Sequence, residues 1–268
     1  MNEEEYFGDA AKVALMRRSR ALHELLKDDP RFSYYGRVVA LTGPTADMLP
    51  AMMALARMQG AGVCYYFPKS DADGLFATLQ AAGFTWDRHE HYRGGEDAFR
   101  ASRQVAAEMR LPDDLTVQRL DEATPTGLVR EVAALLQSCG VMPVPGAFLR
   151  GRAKPGITLV AIDGSGHPVA SASSIFLHHA DGAHPRDVFW GMLATREDRR
   201  GEKIALQLGA MAIEHMWVNE GARGFITGVR QDNRSSQALC GRLGVHDTDW
   251  IYAQCLDVAV LGGSSVTK

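Results

Sequence analysis

The stretch Gly191-Met-Leu-Ala-Thr-Arg-Glu-Asp-Arg-Arg-Gly-Glu-Lys-Ile-Ala205 decides how the second half of this 268-residue chain folds. Val188 to Thr195 alternates in bulk and reads as a strand. A short charged turn follows. From about residue 203 to 219, Leu206, Leu208, Met211, Ile213 and Met216 give a long amphipathic helix, closed by Gly221. A helix start presents unpaired backbone N–H groups and the positive end of the dipole, so it is where a phosphate or diphosphate settles. Arg196, Arg199, Arg200 and Lys203 add positive charge at the same place. The bland alternative is a solvated basic turn that merely precedes a helix.

Working outward, the second half opens with a strand over Leu115 to Leu120 and a helix over Thr126 to Ser138. An irregular Pro- and Gly-rich region spans Gly140 to Gly156. Strands follow at Ile157 to Ile162 and Val169 to Leu177, joined by the turn Asp163-Gly-Ser-Gly166. After the long helix come a strand (Phe225 to Val229), a helix (Ser235 to Leu243) and a last strand (Trp250 to Leu256). The first half gives a helix within residues 10–26, a short strand at Arg37 to Leu41, a helix over 45–58 with Met48, Met52, Leu55 and Met58 facing the core, a buried strand at Val63 to Phe67, a helix at Asp71 to Ala82 and a strand at Phe84 to Tyr92. The charged stretch from Arg93 to Asp114 reads as a linker, partly helical. Strands interleaved with covering helices predict an α/β layered fold in two parts: a smaller α/β domain over 1–110 and a larger domain over 111–268.

The halves echo one another. Gly60-Ala61 and Gly83 recur 161 positions later as Gly221-Ala222 and Gly244, with Ala51 and Ala77 recurring as Ala212 and Ala238. At that offset the basic segment from Arg200 to Ala205 falls on Val39 to Pro44, where nothing is basic. The first copy is thus expected to be partial and to lack a phosphate loop.

Composition narrows the remaining choices. A net charge of −3 argues against nucleic acid as a partner. Cys64, Cys139, Cys240 and Cys255 make neither a CxxC pair nor a ligand spacing, so no metal is expected and reduced thiols in the cytoplasm are. The acidic-then-basic start is not a secretory leader, and no apolar run approaches membrane-spanning length.

Two motifs carry a resemblance. Leu193-Ala-Thr195 followed by Arg200-Gly-Glu-Lys-Ile-Ala205 resembles the Arg/Gln-x-x-Gly-x-Gly/Ala diphosphate loop of the GNAT superfamily of N-acetyltransferases, and Gly228-Val-Arg-Gln-Asp-Asn233 through Leu243-Gly-Val245 resembles that family's next signature. The likeness covers roughly residues 113–258 and implies a mixed, mostly antiparallel sheet flanked by helices, with acetyl-CoA as cosubstrate and an amine as acceptor. By that likeness, Leu193, Ala194 and Thr195 offer backbone to the pantetheine arm and the thioester carbonyl. Gly201, Glu202, Lys203, Ile204 and Ala205, with Arg200, cradle the diphosphate, and Asn233 sits beside the arm. Main-chain N–H groups of this kind polarise a carbonyl without reorganising.

The sequence also departs from the pattern. Lys203 stands where the family has glycine, and is expected to take helical dihedrals and donate its N–H. Cys240 stands where many members have a tyrosine that protonates the leaving thiolate, which makes Tyr252 on the last strand the alternative acid. Glu197 and Asp198 read as solvated, so no carboxylate base declares itself. His178, expected with His179 at a hairpin tip near the acceptor cleft, is the candidate base, with ordered water as the other carrier. Trp190 and Trp250 read as packed. Three functions stand side by side: acetyl transfer to a small-molecule or peptide amine by direct attack, a non-catalytic acyl-CoA-binding or regulatory module, and an interaction protein without CoA. A homodimer is compatible with each.

Overall fold

The computed structural model describes residues 5–262; residues 1–4 and 263–268, the outer ends of the two predicted domains, lie outside the described residues. Helix α1 (Ala10–Leu26) starts at Asp9, whose carboxylate accepts the Lys12 amide. It leads to the short strands β1 (Phe32–Ser33) and β2 (Ala40–Leu41). Then come α2 (Met48–Gln59), β3 (Ala61–Pro68), α3 (Ala72–Ala81), β4 (Thr85–Gly94) and α4 (Glu96–Glu108). The second half adds β5 (Thr116–Arg119), α5 (Thr126–Ser138), a single turn α6 (Gly146–Leu149), β6 (Gly156–Ile162), β7 (Pro168–Phe176) and β8 (Asp187–Thr195). It ends with α7 (Ile204–Asn219), β9 (Gly224–Val229), α8 (Arg234–Arg242), β10 (His246–Leu256) and α9 (Val258–Leu261).

All strands join one ten-stranded sheet in the order β1-β2-β3-β10-β4-β9-β8-β7-β6-β5. Its pairs are antiparallel except for β2 with β3 and β8 with β9, one parallel pair in each half. Shifted by 161 residues, α2, β3, α3 and β4 fall on α7, β9, α8 and β10. These strands exchange partners: β10 lies between β3 and β4, and β4 lies between β10 and β9. A strand from each half is thus inserted into the other's neighbourhood, and the sheet runs unbroken.

Alternation along the strands sorts side chains onto two faces. On β6 and β8, Leu159, Val188 and Trp190 join α4 and α7 in one core, while Val160 and Phe189 join α1, α2 and α5 in the other. Both faces are covered, which explains why β6, β7 and β8 are almost continuously buried rather than half-polar. Gly62 lets α2 lie directly on β3, since a Cβ there would meet the Met52 carbonyl oxygen at 2.0 Å.

Several elements differ from their predicted form. The expected linker holds the full helix α4, which packs chiefly on α7 and whose Ala98, Ser102 and Val105 are buried. The irregular region contains α6. Met58 is 55% exposed because the buried face of α2 is Met52, Leu55, Ala56 and Gln59, which leaves residue 58 about a quarter-turn off it. Met211 and Trp250 also reach the surface, whereas Trp190 is fully buried with its indole N–H on the Gly209 carbonyl at 3.0 Å.

Candidate active site

The parallel pair β8–β9 holds together only at its start. Asp187, Val188 and Phe189 face Gly224, Phe225 and Ile226, and no pairing continues beyond Phe189 and Ile226. Past that point the β9-facing edge of β8 has no strand partner. The opposite edge carries a bulge: between Ser171 and Ser173 of β7, the register on β8 jumps from Ala194 to Gly191. The extra residue shows at Met192, whose φ of 50° is left-handed. The divergence opens a cavity of about 470 Å³.

One end of the cavity is made by Leu193, Ala205, Asn233, Leu239 and Cys240. Ala205 belongs to the first turn of α7. The turn before it runs through Gly201 (φ 88°) and Lys203 (φ 61°, ψ 20°), both left-handed. This corrects the helical backbone expected for Lys203. The chain must reverse into α7 at this position, and a residue with a Cβ pays about 1–2 kcal/mol for a conformation that glycine adopts freely. No side chain caps α7, its first turn has no acidic residue, and its first recorded backbone bond is from the Gln207 amide to the Lys203 carbonyl at 3.2 Å. Among the described residues the amides of 201–206 have no partner within the chain. Arg196 is engaged with Asp198 and Asp163, and Arg199 with Asp114 and Glu202, all at 2.7–3.1 Å. Arg200 is 57% exposed and meets Glu197 only at 4.0 Å.

The opposite side of the opening is α8. Asn233 caps it: its side-chain oxygen accepts from the Ser236 amide at 3.1 Å and the Ser235 hydroxyl at 3.0 Å. Cys240 lies about two turns further along, buried, with burial pushing its thiol up to about 12, so it stays protonated.

The deep end is furnished by the first half of the chain. Tyr35, Arg37, Tyr65 and His89 line it, with Phe189 and Tyr252. Tyr35 stacks on Phe189 with centroids 4.5 Å apart, and Tyr65 meets Tyr252 edge-on at 4.8 Å. Gly228 makes room for Tyr252, since a Cβ there would meet its ring at 2.7 Å. The Tyr252 hydroxyl is buried with no hydrogen-bond partner among the described residues, and burial raises its pKa well above the ordinary value, so it is a neutral donor. His89 is bonded through Nδ1 to Gln254 at 2.7 Å, and burial pushes its pKa down to about 4. No aspartate or glutamate lines the cavity.

His178 is placed elsewhere. It is buried rather than at an exposed hairpin tip, with Nδ1 at 2.7 Å from the Ser33 hydroxyl, and it is not among the residues lining the cavity. Burial takes its pKa to about 3. Its neighbours are Tyr65, Tyr66 and His184, part of an aromatic group anchored by Asp187. That carboxylate accepts from the Tyr66 hydroxyl at 2.7 Å and from Arg93 at 2.7 and 2.9 Å. Burial opposes its ionisation, but these bonds hold its pKa below the usual value. Among the described residues no group of three His, Cys, Asp or Glu side chains is arranged to hold a metal ion, and no helix is long and apolar enough to cross a membrane.

Of the residues singled out from the sequence, Leu193, Ala205, Asn233, Cys240 and Tyr252 line the cavity, whereas Ala194, Thr195 and residues 200–204 do not. Tyr35, Arg37, Tyr65 and His89 carry no motif, and they reach the site only because strands of the first half pair with β9 and β10.

In this chain a sheet opened at one parallel pair, a bulge on the strand before it and an uncapped helix after it sit in a fold like that of solved GNAT proteins. Among solved structures it is similar to a GCN5-related N-acetyltransferase from Kribbella flavida, with a TM-score of 0.56 and 14% identity over 92% of this chain and 96% of that one. It is also similar to a tandem GNAT protein from the clavulanic acid biosynthesis pathway, with a TM-score of 0.55 and 15% identity over 78% of this chain and 67% of that one. No family model matches the chain, and no curated protein matches it in sequence.

Proposed function

We propose that the chain is an acyl-CoA-dependent N-acetyltransferase that binds acetyl-CoA between β8 and β9 and passes the acetyl group to a primary amine. One observation carries this reading. Gly191 to Leu193, on β8 past its paired stretch, and Ala205, in the first turn of α7, line one cavity, and the amides of 201–206 beside it have no partner among the described residues, which suits a ligand that joins a thioester to a diphosphate.

In this reading, the amides of Gly201, Glu202, Lys203, Ile204 and Ala205 hold the diphosphate, with Arg200 and Lys203 adding charge. The arm runs along Leu193, Ala194 and Thr195 and past Asn233. The thioester carbonyl lies at the bulge, where main-chain N–H groups polarise it. The neutral amine enters from the deep end, which the 1–110 half walls. Its lone pair forms the C–N bond, the C–S bond breaks, and the thiolate takes a proton from Tyr252, whose unpartnered hydroxyl is the suitable donor at the cavity wall. The amine's surplus proton leaves to water, and Tyr252 is reprotonated from solvent. Cys240 contributes packing, and His178 takes no part. With no carboxylate on the cavity wall, the acceptor must shed its proton before it binds. The acetylation rate constant kcat/KM is therefore expected to rise tenfold per pH unit up to the pKa of the amine. A plateau set by a group titrating near 6 to 7 would assign a base to the protein instead.

The direct test is calorimetric titration with acetyl-CoA, followed by thiol release with a panel of amines. Arg200→Ala is expected to weaken acetyl-CoA binding by about 1–3 kcal/mol. Unchanged affinity removes Arg200 from the diphosphate site, and no binding in the parent protein removes the reading. The non-catalytic acyl-CoA-binding alternative draws support from Lys203 in a left-handed position and from Cys240 in place of a tyrosine; it is chosen if acetyl-CoA binds and no amine releases thiol.

A further inference from the structure

Arg37 sits at the deep end of the cavity and is 8% exposed. One terminal nitrogen donates to the Met142 carbonyl, the other to the Tyr35 hydroxyl at 3.3 Å. Its guanidinium carbon lies over the rings of Tyr35 and Phe189 at 5.5 and 5.6 Å. Its Nε has no hydrogen-bond partner among the described residues. The contrast with Arg150, equally buried, is direct: Arg150 forms a two-point pair with Glu5 at 2.9 Å through each nitrogen. Arg37 has no carboxylate partner among the described residues, and no acidic side chain lines its cavity. Its aromatic neighbours are neutral, and the other guanidinium on the cavity wall, Arg230, is paired with Asp87 at 3.0 and 2.8 Å. Tyr65 and Tyr252 are buried phenols, and His89 is an uncharged imidazole bonded to Gln254.

A guanidinium taken out of water among aromatic rings, with only carbonyl and phenol oxygens for company, keeps most of its charge uncompensated. Placed in a cavity, it is complementary to an anion that arrives with the ligand, and its planar fork suits a carboxylate. Acetyl-CoA cannot supply that anion at this end, because its charges belong beside the start of α7 in the reading above.

We infer that the acceptor is an amino-carboxylic acid, its carboxylate held by Arg37 and the neighbouring tyrosine hydroxyls, its amine directed at the bulge on β8. The inference rests on the acetyl-transfer reading for the fate of the amine, but not for the binding of the carboxylate. In the transfer, the neutral amine nitrogen bonds to the acetyl carbon as the C–S bond breaks. The one proton that this nitrogen gives up goes to solvent, the thiolate takes the Tyr252 proton that solvent then replaces, and the carboxylate is unchanged.

The experiment pairs free amino acids, including β-alanine and 4-aminobutyrate, with their carboxamides and with the amines that lack the carboxylate. Each is assayed singly for thiol release from acetyl-CoA, and for binding to the full chain by calorimetry without CoA. The expected result is at least one free acid preferred 30-fold or more over its carboxamide. In Arg37→Gln that preference falls to threefold or less while acetyl-CoA affinity changes less than twofold, which also reports that the variant is folded. Arg37→Lys should recover part of the preference through charge without the fork. Should Arg37→Gln fail to bind acetyl-CoA, Tyr35→Phe takes its place and is expected to cut the preference about threefold. An acid that binds in an Arg37-dependent way with no thiol release upholds the inference and overturns the catalytic reading. Equal use of acids and carboxamides, preference retained in Arg37→Gln or in its Tyr35→Phe substitute, or no acid bound or turned over, overturns the inference.

Discussion

The parallel pairs β2–β3 and β8–β9 hold corresponding places in the two halves, yet they end differently. In the first half, the fully buried Gln59 closes the base of the pair. Its amide donates to the carbonyls of Val39 and Ala61 at 2.7 Å each and accepts from the Val39 amide at 3.1 Å. The helix that follows β2 begins at Asp47, whose carboxylate takes the Thr45 hydroxyl and Arg31, both at 2.8 Å. A negative charge therefore occupies the place where a phosphate would approach. In the second half the same arrangement is left open, with partnerless amides at 201–206 and positive side chains beside them. A strand pair that diverges ahead of a helix always leaves backbone donors to satisfy. Neither helix start has a side-chain cap among the described residues, so the two differ in the charge set beside the donors, negative at Asp47 and positive at Arg200 and Lys203.

The two cores differ as well, and acid should separate them. His89, His91 and His178 are buried in the part of the sheet formed by β3, β4 and β10 and the loop after β7, and burial holds their pKa values at about 4, 3 and 3. The core around α4 and α7 is mostly aliphatic. Each folded-state value lies below the unfolded value of about 6.5, so the unfolded chain binds more protons between these limits, and stability is lost as pH falls from 6.5 toward 3. Between pH 7 and 5 each histidine should cost up to about 2 kcal/mol. Urea midpoints across that range measure the total. Hydrogen exchange at pH 5 should show amides of β3 and β4 losing protection before those of β6 and β7. Uniform loss across the sheet would show that the halves do not differ in this way.

Asp187 ties the halves together, accepting from Tyr66 on β3 and Arg93 on β4 at the foot of the open pair. Asp187→Ala strands the Tyr66 hydroxyl and leaves Arg93 uncompensated. Because Arg93 is 37% exposed and water can reach it, the expected loss is about 2–3 kcal/mol rather than the full cost of an orphaned buried charge. Equilibrium unfolding measures it, and a change below about 0.5 kcal/mol would mean that the pair contributes nothing to joining the halves.

What could be read in advance follows from how local each feature is. The loop from Arg200 to Ala205 and the cap at Asn233 are contiguous in sequence, so hydrophobic period and residue type locate them. The strand at Ile157 and the helix at Thr126 follow from the same local signals. The exchange of β4 and β10 between halves is a pairing choice among strands of similar composition, and nothing within either strand announces it. Because that exchange brings Tyr65 and His89 to Tyr252, the deep end of the cavity was illegible along with it. The place of His178 is hidden for a related reason: its burial depends on Ser33 and Tyr65, more than a hundred residues away.

Lys203 provides the sharpest contrast between the two helix starts, because its charge and its backbone can be altered separately. Lys203→Asp brings the negative charge of the first half to the second and should weaken acetyl-CoA binding by about 10- to 100-fold, with calorimetry still reporting one site per chain before affinity is lost. Two sites in the parent protein would mean that the start of α2 is open after all. The smaller effect is in stability. Lys203→Gly removes a Cβ from a left-handed residue, saving about 1–2 kcal/mol, and gives back about 0.5–1 kcal/mol of unfolded-state entropy, for a net gain of about 0.5–1 kcal/mol. If Lys203→Gly raises the urea midpoint and also weakens acetyl-CoA binding, the lysine is held against its own conformational preference for the charge it brings to the ligand. If stability rises with affinity unchanged, the backbone alone grips the diphosphate, and the lysine is a tolerated substitution in a glycine position.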